Sequence, residues 1–339
     1  MIRFGIVGFG LHGVRRLMPG FAKAARCTVT AISRRDLAKA RASAAEYNLP
    51  HFFDSTEALC ACPDVDAVLV ASPDALHLRD TLTAIKHGKP VLCEKPMAMN
   101  PAECRRMVEA ARAAKVLLGV AHVFRFEEST NRLRERILAG AIGRPLFARA
   151  EFCYPGRTHG RSWIADPALA CGGPIADVGV HCIDGLRYML QDEVIEVSAI
   201  AVRDEYSGGV EAGGTLLLRF ARGTLATVLV SARAAYRTPV EFIGESAVLR
   251  AADCFNVERP ITLDLQREGH IVESEQVSNH LAYARQVDAF AAAIEGKALF
   301  QAPAEDGWQN QEVLAAAYRS VQSGHVEAVP RVARQAAET

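Results

Sequence analysis

The first 120 residues alternate short apolar runs with helical patterns, and no other feature of the chain narrows its fold so far. Parallel strands cannot be joined by tight turns; each needs a crossover of a dozen or more residues, usually a helix. Apolar runs at 2–7, 28–32, 67–71, 90–93 and 116–120 predict strands, and three-to-four spacing of apolar residues predicts helices over 11–24, 37–47, 75–86 and 101–114. Asn100-Pro101 supplies an N-cap followed by proline at the first helical position. Repeats of this length predict an α/β domain built on a doubly wound parallel sheet.

The turn after the first strand reads Gly8-Phe9-Gly10-Leu11-His12-Gly13, a G-x-G-x-x-G that ends a strand and opens a helix. Glycine there permits a tight turn and lets backbone approach a pyrophosphate whose charge rests on the helix N-terminus, so these six residues are candidate dinucleotide contacts. An NAD site usually carries Asp or Glu about twenty residues on, where it takes the ribose hydroxyls. Ser33-Arg34-Arg35 stand there instead. A carboxylate would repel a 2′-phosphate, whereas Arg34 with the Ser33 hydroxyl would bind one. NADP is therefore favoured and NAD is the alternative, with Asp36 the nearby carboxylate that could turn back to a ribose.

Open parallel sheets bind ligands beyond the carboxyl ends of their strands. Two stretches reach that edge, Ser72-Pro73-Asp74-Ala75-Leu76-His77 after the third predicted strand and Glu94-Lys95-Pro96 after the fourth. Lys95, just past a buried strand, can polarise a carbonyl or share its proton. Further on, Gly172-Gly173-Pro174-Ile175-Ala176-Asp177-Val178-Gly179-Val180-His181 opens a helix predicted over 176–189. Asp177 and His181, four apart, share a helix face in its first turns, and the two glycines allow close approach of a ligand or another domain. His181 is a ready proton donor near neutral pH. Taken as residues alone, the pair also fits a buried structural histidine, a helix-capping Asp177, or a metal site with Cys171 whose further ligands cannot be placed.

After residue 121 the texture changes. A helix over 127–139, a strand over 146–152, a loop rich in Gly, Arg and Pro over 154–174 and a run of strands from 196 to 275 predict a second domain; two helices, 281–294 and 304–321, close the chain. The boundary is placed between a domain of residues 1–121 and an α+β domain of residues 122–339 with an open, mostly antiparallel sheet. Runs such as Leu216-Leu217-Leu218 are apolar on both faces, so helices are expected over one face and a partner copy over the other, in a homodimer or homotetramer. The 39 Lys+Arg balance 39 Asp+Glu, which leaves no overall field to hold nucleic acid or anionic lipid. No apolar run reaches the ~18 residues that a membrane span needs, and the N-terminus carries no targeting pattern. Nine scattered cysteines read as reduced thiols, which points to the cytoplasm. Cys60-x-Cys62 has the wrong spacing for a zinc knuckle, and no metal is expected.

In order along the chain, the glycine turn, Ser72-Pro73-Asp74-x-x-His77, Glu94-Lys95-Pro96 and Gly172-Gly173-x-x-x-Asp177-x-Gly179-x-His181-x-x-Asp184 resemble the glucose-fructose oxidoreductase / inositol dehydrogenase (Gfo/Idh/MocA) family over nearly the whole length, including Pro303-Ala304-Glu305-Asp306-Gly307. The resemblance implies a Rossmann domain with an open-faced α/β domain, an NAD(P) cofactor, sugar-like or cyclitol substrates, and dimers or tetramers assembled through the open sheet. It implies Lys95 as the catalytic lysine, His181 as the acid/base and Asp177 as the substrate-orienting carboxylate. Ser72, Pro73, His77 and Glu94 fall near the nicotinamide and its ribose, and Arg125 and Trp163 join Lys95, Asp177 and His181 on the substrate side. In the family loop that holds Trp163, Arg often follows Trp; here Ile164 stands in its place. The implied reaction is hydride transfer between nicotinamide and a secondary alcohol or ketone, in the reductive direction on a ketosugar related to anhydrofructose if NADP is used. The same architecture also serves NAD-assisted glycosidases, aromatic dihydrodiol or biliverdin-type reductases and non-catalytic nucleotide-sensing regulators. The intact Lys95, Asp177 and His181 argue against the last, which needs no proton relay.

Overall fold

A computed structural model of the protein describes residues 1–156, 162–205 and 208–333. The chain forms two compact units: Met1–Val123, Ala168–Cys171 and Tyr283–Trp308 make the first, and Phe124–Pro167, Gly172–Ala282 and the chain from Gln309 onward make the second. This differs from the single cut at residue 121, because two later segments are tied to the first unit. Asp288 accepts the backbone N–H groups of Ala25 and Arg26 at 2.8 and 2.7 Å, Phe290 packs against Phe4, and Cys171 donates its N–H to Asp74 at 2.9 Å.

The first unit holds six parallel strands, β1 (Ile2–Val7), β2 (Cys27–Ser33), β3 (His51–Phe53), β4 (Ala67–Val70), β5 (Val91–Cys93) and β6 (Leu118–Val120), in the order β3-β2-β1-β4-β5-β6. That order reverses direction between β1 and β4, which is where a doubly wound sheet opens its ligand crevice. All four residues of β4 are buried, as expected for a strand covered on both faces. Around the sheet lie a π-helical turn, Gly13–Leu17, that runs into α1 (Met18–Phe21), then α2 (Leu37–Glu46), α3 (Thr56–Ala61), α4 (His77–Lys86), α5 (Pro101–Ala114) and α9 (Ala282–Ile294). Asn100 caps α5 by accepting the Glu103 N–H at 3.0 Å.

Strand β3 and helix α3 have no counterpart among the elements expected from sequence. β3 is a three-residue edge strand and α3 is six residues long, too short for either periodicity to register.

The second unit carries a nine-stranded sheet. Its strands are β7 (Pro145–Cys153), β8 (Val194–Val202), β9 (Gly213–Phe220), β10 (Leu225–Ser231), β11 (Val240–Gly244), β12 (Val248–Ala251), β13 (Ile261–Arg267), β14 (His270–Val277) and β15 (Glu327–Ala328). They lie in the order β14-β13-β12-β11-β7-β10-β9-β8-β15, antiparallel except for the parallel pair β7 and β10. The helices are α6 (Glu128–Leu138), α7 (Pro174–Asp177), α8 (Gly179–Leu190) and α10 (Ala304–Ser323), and within α10 the chain passes from the first unit to the second. Side chains alternate across the sheet: Leu216 and Leu218 are buried, while Leu217 between them is 57% exposed. Phe147, Leu225, Leu229 and Ile243 are exposed as well. The helix expected over 176–189 is two helices, broken at Val178, whose φ of −118° leaves the helical range.

Among the described residues no helix is long and apolar enough to cross a membrane. All nine cysteines are unbridged, and only Cys171 is more than marginally exposed.

Candidate active site

The glycine turn assigns each glycine a different task. Gly8 has φ +77°, a left-handed conformation that L side chains resist, and a Cβ there would lie 2.5 Å from the Ser72 backbone at the end of β4. Gly10 has open space, with nothing nearer to its would-be Cβ than the Gly8 carbonyl at 3.8 Å. Gly13 lets the Phe9 ring pack at the helix start, where a Cβ would come within 2.8 Å of it. Phe9 donates its N–H to the Ser33 carbonyl at 2.9 Å, which ties the turn to the end of β2. A turn kept clear of side chains at the start of a helix fits the pyrophosphate of a dinucleotide.

At the end of β2, Ser33 is buried and Arg34 donates from Nη1 to the Ser43 hydroxyl on α2 at 2.8 Å. Asp36 is the N-cap of α2, accepting the Lys39 N–H at 3.0 Å, and that bond holds its carboxyl below the ordinary carboxylate range. The one carboxylate that could have turned back to a ribose is thus engaged in capping.

Beyond β5, Glu94 pairs with His12, Nε2 to Oε1 2.9 Å, and accepts the Lys95 N–H at 3.2 Å. Burial pushes the Glu94 carboxyl up, but His12 and Lys95 outweigh it and leave it below its ordinary value. The pair joins the glycine turn to the base of the Lys95 loop, and the Lys95–Pro96 peptide is cis. His77 is 1% exposed and bonds the Pro96 carbonyl at 2.9 Å and the Ser72 carbonyl at 2.8 Å. Two carbonyl acceptors require two N–H donors, hence an imidazolium. Burial alone would lower its pKa; the Cys93 sulfur, Asp74 and the Pro96 carbonyl outweigh burial and push it up to about 10. His77 therefore clamps the Ser72-Pro73 and Lys95-Pro96 turns together, and its ring does not face a ligand, in contrast to the cofactor contact expected of it. The Ser72 hydroxyl is likewise committed, donating to buried Asp80 at 2.7 Å.

In the second unit, Asp177 ends α7 and His181 lies in the first turn of α8, each 8% exposed. The Tyr154 hydroxyl, just past the end of β7, donates to Asp177 Oδ2 at 2.8 Å. The His181 ring lies 4.2 Å from Phe124, which itself stacks on Phe255 at 4.5 Å, with Phe152 completing the cluster. An apolar wall of this kind fixes the imidazole plane.

Gly172 and Gly173 admit internal neighbours rather than a ligand. A Cβ would fall 1.8 Å from the Tyr318 hydroxyl at the first and 2.0 Å from the Glu211 carbonyl at the second. The Glu211 carboxylate then accepts the N–H groups of Gly173 and Ile175, each at 2.9 Å, and so caps α7.

Arg125 departs from its expected substrate-facing role. It is 4% exposed and forks onto Asp184, Nε to Oδ2 2.9 Å and Nη2 to Oδ1 2.5 Å, while Asn310 also donates to Oδ1. The bidentate pair makes Asp184 an anchor for the start of α6 and explains its place in the helix pattern. Trp163 is half-buried on a 3-10 turn, Ser162–Ala165. Arg157, His159 and Arg161 lie outside the described residues. Tyr154, Phe124 and Glu211 escape sequence reasoning; the only hint of Tyr154 is its position at the end of a strand before a Gly/Pro loop.

A model described as "Oxidoreductase family, NAD-binding Rossmann fold" matches residues 2–122, and one described as "GFO/IDH/MocA C-terminal domain" matches residues 130–250. The chain belongs to the GFO/IDH/MocA oxidoreductase family. A 1,5-anhydro-D-fructose reductase from Ensifer adhaerens is 31% identical over 91% of this chain and 92% of its own. An inositol 2-dehydrogenase from Saccharopolyspora erythraea is 29% identical over 98% and 97%. The crystal structure of an aldose-aldose oxidoreductase from Caulobacter crescentus shares the fold with a TM-score of 0.88 at 24% identity, over 96% of this chain and 99% of that one. This family member is an NAD(P)-binding oxidoreductase whose relatives are dehydrogenases and reductases of sugars and cyclitols.

Proposed function

We propose that this oxidoreductase uses NADP in preference to NAD and interconverts a secondary alcohol and a ketone on a sugar-like ring, running as a reductase on a ketosugar of the 1,5-anhydrofructose type. The observation that carries the cofactor choice is the end of β2: Arg34 stands beside buried Ser33, and Asp36 is held by α2. A guanidinium with no competing carboxylate favours a 2′-phosphate. The 31% relative, a 1,5-anhydro-D-fructose reductase, supports the substrate class.

When bound, the nicotinamide supplies or accepts the hydride. Lys95 offsets the charge that develops on the substrate oxygen, His181 exchanges the hydroxyl proton, and Asp177 orients His181 or a neighbouring hydroxyl. Gly8, Gly10, Leu11, His12 and Gly13 hold the pyrophosphate by backbone, while Phe9, whose N–H is bonded to Ser33, fixes the turn. Of the remaining residues assigned to substrate, Trp163 is the one whose exposure leaves it free to serve.

Two further parts of the reading concern setting. The apolar outer face of the large sheet, with Phe147, Leu217, Leu225 and Leu229 exposed, supports a homo-oligomer through that face. The unbridged thiols support a reducing, cytoplasmic setting. Light scattering at micromolar concentration tests the first, and a monomer would contradict it.

The experiment for the cofactor is a parallel titration with NADPH and NADH, read by nicotinamide fluorescence, on the wild type and on Arg34→Ala. NADPH should bind at least about tenfold more tightly, and Arg34→Ala should lose most of that margin while NADH binding stays the same. Equal or better binding of NADH by the wild type would contradict the proposal.

A further inference from the structure

We propose that His51, Cys62 and Asp64 form a binding site for a zinc-like divalent transition-metal ion. His51 opens β3, Cys62 is the C-cap of α3, and Asp64 lies in the connection to β4. All three therefore sit at the amino ends of the parallel strands, whereas the Gly8 turn lies at the carboxyl ends. One nitrogen of His51, the Cys62 sulfur and a carboxylate oxygen of Asp64 lie within 4.8 Å of one another. Donors around a tetrahedral zinc ion, with bonds of about 2.0–2.3 Å, are roughly 3.3–3.8 Å apart, so small side-chain rotations close the set. An imidazole, a thiolate and a carboxylate together suit zinc or cobalt rather than calcium or magnesium, which take oxygen ligands only.

The surroundings hold these donors in place. Arg3 donates from Nη1 to Asp64 Oδ1 at 2.7 Å, which leaves Oδ2 facing His51 Nε2 at 2.8 Å. Charge on that guanidinium does not repel a cation unopposed, because Nε and Nη2 bond Asp66 at 2.9 and 2.7 Å. One arginine thus serves two carboxylates, and with Lys89, whose Nζ donates to the Val65 carbonyl at 2.6 Å, the charges of the locality balance. Metal-bound carboxylates are commonly oriented by such an outer hydrogen bond. The Thr30 hydroxyl donates to the Asp64 carbonyl at 2.7 Å, and the His51 ring lies near-parallel to Phe53. Cys62 is buried, while the His51 and Asp64 side chains are 32% and 49% exposed, so a water can complete the coordination from the solvent side. Cys60 is not part of the set, which the donor distances confine to His51, Cys62 and Asp64. Pairing Cys62 with Cys60 by sequence spacing hides the site, because the other ligands come from β3 and from the residue two positions on.

On binding, the Cys62 thiol gives its proton to solvent and His51 presents Nε2 with its remaining proton on Nδ1, so affinity rises with pH. The bound ion ties the β3 edge to the α3–β4 connection and takes no part in hydride transfer. The test is titration of metal-free protein with Co2+, read by the thiolate-to-cobalt charge-transfer absorption. One equivalent should saturate the band and Zn2+ should bleach it; Cys62→Ser should abolish it, and His51→Ala should weaken binding by about tenfold or more. Zinc at a hundredfold excess over its dissociation constant should raise the wild-type Tm by about 3 °C or more and leave the variants unmoved. Circular dichroism identifies folded variants, and if Cys62→Ser does not fold, His51→Ala decides alone. No band in the wild type, a band that survives Cys62→Ser, or undiminished cobalt affinity in His51→Ala would overturn the proposal.

Discussion

The three glycines of the turn look equivalent in the sequence pattern, yet alanine at each should fail in a different way. At Gly8 the left-handed φ of +77° costs an alanine about 1–2 kcal/mol. Its Cβ would also stand 2.5 Å from Ser72 Cα and N, which are main-chain atoms that cannot rotate away. Relief requires a shift on the order of 1 Å in the turn or in the segment after β4, at an overpacking cost of about 1–3 kcal/mol. Gly8→Ala should therefore lose about 2–5 kcal/mol of stability, a fall in Tm of about 5 °C or more, together with dinucleotide binding. Gly10→Ala meets only an ordinary contact at 3.8 Å, so its Tm should stay within about 2 °C of wild type. A methyl group there still intrudes on the space reserved for the pyrophosphate, and NADPH affinity should fall by about tenfold or more. Gly13→Ala should be intermediate, since the Phe9 ring it meets at 2.8 Å can turn. Thermal melts with and without NADPH, alongside fluorescence titrations, separate the three. Unchanged NADPH binding by Gly10→Ala, or a Gly8→Ala protein as stable as wild type, would refute the reasoning.

Three other outcomes follow from the same geometry. Asp184→Ala strands the buried Arg125 guanidinium and should cost about 3–5 kcal/mol in denaturant melts, and a loss under 1 kcal/mol would contradict the anchor role. Tyr154→Phe removes the bond to Asp177 and should lower kcat by about tenfold or more with little change in Tm; an unchanged kcat would show that Asp177 needs no such support. His77 has its pKa raised from 6.5 to about 10 on folding, so its stabilisation is full below pH 6.5 and is lost as pH rises through about 10. Wild-type stability should decline across that window more steeply than that of His77→Gln, and parallel profiles would argue against a charged clamp.

Much of the fold is legible because its signals are local and repeated. Buried parallel strands are continuous apolar runs, so β4 and β5 stand out, and α5 carries its own cap and proline. The β3–α3 unit is hidden because a half-buried three-residue edge strand has no period to detect. Site residues divide on the same line. The need for glycine at Gly8 is legible since its backbone conformation dictates it. Arg125 and His77 are misread because their partners, Asp184 in one case and two main-chain carbonyls in the other, come from residues far along the chain or carry no side-chain signature. Tyr154 and Glu211 are missed for the same reason: each acts on a residue over twenty positions away.

Net hydride transfer between nicotinamide and a sugar-like carbon, with His181 and Lys95 assisting, is the reaction proposed for this protein. It is tested by incubation with NADPH carrying deuterium at both C4 positions and a panel of ketosugars and glycosides that includes 1,5-anhydro-D-fructose, with mass spectrometry of the products. One deuterium should appear on the carbinol carbon, with NADP+ formed in equal amount and the rate lowered at least about a hundredfold in Lys95→Ala and in His181→Ala. Glycosidic cleavage with the cofactor returned unconsumed, or deuterium transfer at wild-type rate by both variants, would contradict it.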